Sequence, residues 1–134
     1  MENKINESTP NRPKGNRIID APLVNFDLNE FMSQIKTEKA WLEHDRNAIT
    51  LFKSNELSIV LIALHKDAEM VKHKAKGIIT LQVKEGLINF STDEQTVKLT
   101  AGQIIVLHDG IPHNVLALEE STFLLTVTES AGTE

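Results

Sequence analysis

The sequence predicts an all-β sandwich or barrel with one N-terminal amphipathic helix, and three observations carry that prediction. Past Trp41, short β-prone runs recur about every 8 to 12 residues, turn formers separate them, and no helical periodicity interrupts them. The runs are Ala48–Lys53, Leu57–Leu64, Met70–His73, Ile78–Val83, Leu87–Ser91, Thr96–Leu99, Gln103–His108, His113–Leu118 and Thr122–Thr128. Pairs such as Ser54-Asn55, Lys76-Gly77, Glu85-Gly86, Ala101-Gly102 and Asp109-Gly110 mark the turns. Parallel βαβ units are excluded, because a crossover helix needs a dozen or more residues between strands.

Taken in order, residues 1–17 read as a disordered tail. Met1 and Ile5 are its large apolar side chains, and Pro10, Pro13 and Gly15 interrupt it, so little apolar burial offsets the ordering entropy. Residues 18–47 read as a helix and a connecting segment. Leu28, Phe31, Met32 and Ile35 fall at i, i+3, i+4 and i+7, one apolar stripe on a helix of about three turns. Asp27 followed by Glu30 resembles a capping box at its start. Residues 48–134 form the β region. Its strand Leu57–Leu64 is apolar on both faces, which calls for a covering layer on each side and points to a homodimer or a helix-covered surface.

A length of 134 residues fits one domain. The absence of cysteine excludes disulfide scaffolds, thiolate metal sites and cysteine nucleophiles. A net charge of −5 argues against a nucleic-acid partner, since phosphate binding needs a concentrated positive face. With no apolar run near the roughly 18 residues of a membrane span and no apolar leader, no membrane partner is expected and the cytoplasm is the expected compartment.

Two stretches sharpen this reading. Residues 64–86 carry His73 and Gly86 thirteen positions apart, and residues 102–117 carry Gly102, Gly110 and His113. They resemble the two motifs of the cupin superfamily, G-x5-H-x-H-x3,4-E-x6-G and G-x5-P-x-G-x2-H-x3-N. The resemblance spans about residues 48 to 128 and implies a small RmlC-like domain. Its fold would be the double-stranded β-helix, or jelly-roll barrel, and such domains are frequently homodimeric. Gly86, Gly102 and Gly110 then fall at tight turns that need a positive φ. In metal-binding cupins three histidines and a glutamate hold an ion such as iron, manganese, nickel or zinc. Here Asp67 replaces the opening glycine, Ala75 the second histidine, Ile79 the glutamate, His108 the proline and Ala117 the asparagine.

Those replacements decide the expected chemistry. Two imidazoles fall short of the three protein ligands usual in a catalytic metal site, so no resident cofactor is expected. If His108 turns inward across the loop Asp109–Pro112, then His73, His108 and His113 give a three-nitrogen set; otherwise a divalent ion is held at low occupancy by His73 and His113. The favoured expectation is a small-molecule ligand in a mostly apolar cavity whose polar end is His73 and His113. Gln82 is a further candidate ligand-binding residue, because an amide among apolar neighbours needs partners. Strand alternation sends it outward if Ile79 faces inward. The sequence contains no Gly-x-Ser-x-Gly, no phosphate-binding glycine loop and no second catalytic group placed near the histidines, so the reading leans toward binding and away from catalysis. The alternative is a metal-dependent isomerase or oxygenase using His73, His113 and His108.

Overall fold

The computed structural model describes residues 3–7 and 17–129. In chain order these form β1 (Lys4–Asn6), β2 (Arg17–Asp20), α1 (Leu28–Ile35), α2 (Lys39–Glu43), β3 (Arg46–Lys53), β4 (Leu57–Leu64), β5 (Glu69–His73), β6 (Ile79–Glu85), β7 (Leu87–Thr92), β8 (Thr96–Thr100), β9 (Ile104–Leu107), β10 (His113–Ala117) and β11 (Ser121–Thr128). One antiparallel sheet has five strands in the order β3–β4–β11–β6–β9, and a second has four, β5–β10–β7–β8. The β-rich class is as the sequence predicts. The strands divide between separate sheets, and among the described residues no ladder joins these sheets into a closed ring.

Strand β4 explains the layering. Side chains alternate across a strand, so its LSIVLIAL run presents apolar groups to both sides. Ile62 and Leu64 enter the core between the sheets, with Leu81, Val83, Phe90, Val115 and Phe123. Leu61 and Ala63 point the other way, onto Ile35, Trp41 and Ile49. The second sheet packs on one face and the helices on part of the other. Each fully buried Leu, Ile or Phe contributes roughly 1.5–3 kcal/mol, so the two cores together dominate the stability.

Helix α1 starts where its cap predicts: the Asp27 carboxylate accepts the amide of Asn29 at 3.0 Å. It is shorter than the expected three turns. The Thr37 hydroxyl and amide both donate to the Gln34 carbonyl, at 2.7 and 2.9 Å, and close the helix after Ile35. The chain then turns into the five-residue α2, which carries the buried Trp41. His65, whose polar neighbours suggest a solvated ring, instead stacks on Trp41 at 3.4 Å and donates from Nε2 to the Trp41 carbonyl at 2.9 Å.

Part of the expected tail is ordered. Lys4–Asn6 pairs antiparallel with Arg17–Asp20, with Ile5 opposite Ile18. Ile5 remains 60% exposed, so backbone ladder bonds hold this strand where side-chain burial does not. The rest of the 1–17 segment, like residues 130–134, lies outside the described residues.

Two glycines are fixed by close approach. A Cβ on Gly86 would lie 2.3 Å from the Glu120 carbonyl oxygen, and one on Gly77 would lie 1.3 Å from that of Thr128. Gly86, Gly102 and Gly110 all take positive φ, as the turn reading requires, and Asp67, standing where the motif has glycine, has φ 74°.

Candidate functional site

Strands β5 and β10 are neighbours, and their register sets His73 directly opposite His113. The two rings lie 4.4 Å apart at 56°. Beyond His113 the register slips before Val115, so the histidine pair sits at an irregularity in the ladder. His113 is 4% exposed and stacks on Phe90 of β7, with centroids 5.4 Å apart and planes within 12°. His73 is exposed at the end of β5. One ring thus faces solvent and the other backs onto the core.

Each imidazole is oriented by its own strand. His73 Nδ1 bonds the carbonyl of Val71 and His113 Nδ1 that of Ile111, both at 2.9 Å. A carbonyl only accepts, so each Nδ1 carries the proton and the neutral ring keeps its lone pair on Nε2. Burial, the largest cause, holds the His113 imidazole below the usual histidine value. The bond to Ile111 opposes this, and the neighbouring His73 ring adds to the lowering. In its neutral form each ring therefore offers one hydrogen-bond acceptor, Nε2.

The remaining candidates are not brought to this pair. His108 is exposed in the turn after β9, so the three-histidine set does not form; that turn leaves the sheet and carries the ring to solvent. Gln82 lies opposite Leu124 and Ile104 and alternates with Leu81 and Val83, which fill the inter-sheet core. It therefore sits on the outer face, away from the histidines. Ile79 is 2% exposed within that core and Ala75 packs against it, so hydrocarbon occupies the two missing ligand positions. Among the described residues no three His, Asp or Glu side chains group to hold an ion. Two imidazoles without a third donor do not fit a resident metal centre.

Two spaces are lined by residues near the histidines in sequence or in contact with them. A groove of about 340 Å3 is lined by Lys74, Ala75, Lys76, Asp109 and Gly110, and the Gly110 amide donates to the Ala75 carbonyl across it at 2.9 Å. Phe90, Val97, Ile105 and Leu107 bound a smaller cavity of about 100 Å3. The sequence reading missed Phe90 as a partner of His113. Its signal was the alternation of Ile88 and Phe90 on one face of β7. A larger cleft of about 490 Å3 lies beside α1, lined by Arg17, Phe26, Phe31 and Leu51 among others; like the two smaller spaces it has no histidine in its lining.

No family model matches the sequence, and no curated protein matches it. Solved structures do. A conserved protein of unknown function from Streptococcus pyogenes is 31% identical, with a TM-score of 0.63 over 67% of this chain and 80% of that one. A cupin-2 domain protein from Shewanella frigidimarina superposes with a TM-score of 0.62 at 20% identity, covering 78% of this chain and 94% of its own. A salicylate 1,2-dioxygenase from Pseudoaminobacter salicylatoxidans reaches 0.66 at 20% identity, over 74% of this chain but 33% of the enzyme. Solved cupins thus share the arrangement of strands, and Gly86, Gly102 and Gly110 take the positive φ that tight turns need. The chain has the fold of small cupin domains.

Proposed function

We propose that this protein is a small cupin that binds a small organic molecule between its sheets, with His73 and His113 as the polar end of the site and no metal-dependent chemistry of its own. The observation that carries the reading is the facing pair itself. Two imidazoles from distant stretches of chain lie 4.4 Å apart, each turned by its own carbonyl so that Nε2 is left to a ligand. Phe90 and the apolar wall behind it support a ligand with a short hydrocarbon part. The same reading includes a homodimer, supported by Ile104 and Val106, which are 54% and 65% exposed on the edge strand β9.

The test is a fragment screen followed through the imidazole carbon-bound proton signals in NMR. Ligands should shift both histidines and lose binding in His113→Ala; hits that map elsewhere and survive that substitution overturn the reading. Elemental analysis of protein purified without a metal-affinity tag addresses the metalloenzyme alternative. Stoichiometric metal lost in both His73→Ala and His113→Ala would replace ligand binding with metal chemistry.

A further inference from the structure

The chain is acidic overall, yet the segment leading away from His73 reads Lys72-His73-Lys74-Ala75-Lys76. Lys72 is engaged by Asp93. Lys74 and Lys76 form no ion pair among the described residues, and both line the groove of about 340 Å3, whose lining residues begin next after His73 and end three positions before His113. That volume lies in the range of small-molecule sites, about 300–1,000 Å3. Asp109 lines the same groove, so two cations face one carboxylate and one positive charge is in surplus. Gly110 leaves the wall open, with nothing within 4 Å of where its Cβ would stand.

The histidines and the lysines ask for different groups. An unprotonated Nε2 accepts, and a carboxylate oxygen also only accepts, so an anionic head set against the imidazoles gains no hydrogen bond. Lysine ammonium groups only donate, and favour an anion. We propose that the ligand is a small hydroxycarboxylate, its carboxylate between Lys74 and Lys76 in the groove and its hydroxyl donating to an Nε2 of the His73–His113 pair. This assignment rests on the ligand-binding reading above and adds the ligand's charge and donor group.

The experiment titrates glycolate, acetate and glycolamide into the full chain, following the imidazole signals of His73 and His113. Glycolate should move both sets. Lys74→Gln with Lys76→Gln should weaken it about three- to tenfold, the worth of two exposed charge contacts. Asp109→Asn should tighten it, and raising the salt from about 0.05 to 0.5 M should weaken it, because exposed charges are screened. Acetate, without the hydroxyl, should bind less well than glycolate, and glycolamide, without the charge, less well again. Glycolamide binding as tightly as glycolate would overturn the anionic ligand and leave the ligand site standing. Acetate equal to glycolate would overturn the hydroxyl contact. Imidazole signals unmoved by all three probes would overturn both this assignment and the site.

Discussion

His113 is held neutral by its surroundings, and this makes stability depend on pH. Its folded-state pKa lies below the ordinary value of about 6.5, chiefly through burial, so the unfolded chain takes up a proton first as pH falls. The contribution is therefore fully present above about pH 6.5 and is lost as pH drops from there toward the lowered folded value. Urea midpoints measured from pH 7.5 to 5 should fall more steeply for the parent than for His113→Gln, with the difference confined to the acid end. The two histidines were legible through the resemblance to the two cupin motifs, and the structure sets them on paired strands. Phe90 was not, because its contact with His113 depends on which strand β10 pairs with on its second side, and β7 is separated from it by β8 and β9. His108 shows the opposite limit: four residues of turn decide where a ring points, and no periodicity reports that.

At the scale of elements, a local signal sets the beginning of α1 and tertiary packing sets its extent. Asp27→Ala removes the carboxylate that accepts the Asn29 amide and should lower stability by about 1 kcal/mol, read as a shifted urea midpoint with an unchanged slope. The substitution should leave the histidine signals where they are, because α1 packs on the far face of the five-stranded sheet. The cap and the apolar stripe were readable from residue types a few positions apart. The early stop was not, since Thr37 closes the helix by a side-chain bond that competes with continued helix. Strand β1 escaped the sequence reading for a related reason: composition measures side-chain burial, and β1 is held through its main chain.

At the scale of the whole molecule, the helices cover only part of the outer face of the larger sheet. Ile35 and Trp41 lie over β3 and β4, whereas β9 keeps Ile104 and Val106 at the surface on an unpaired edge. The exposed strip carries no charge of its own to deter pairing with another strand. Light scattering at micromolar concentration should give twice the mass of one chain for the parent and a single-chain mass for Val106→Lys. A single-chain mass for the parent removes the homodimer.

Gly77 lies flush against the carbonyl of Thr128; the Thr128 amide donates to the Ile78 carbonyl at 2.9 Å, and the Ile78 amide donates to the Thr128 hydroxyl at 3.1 Å. The final strand is thereby riveted to the base of the lysine loop, fifty positions earlier in the chain. If the groove holds a ligand as proposed, fraying at that distant seam would loosen its Lys74–Lys76 wall, and residues that never touch the guest would help set how long it stays.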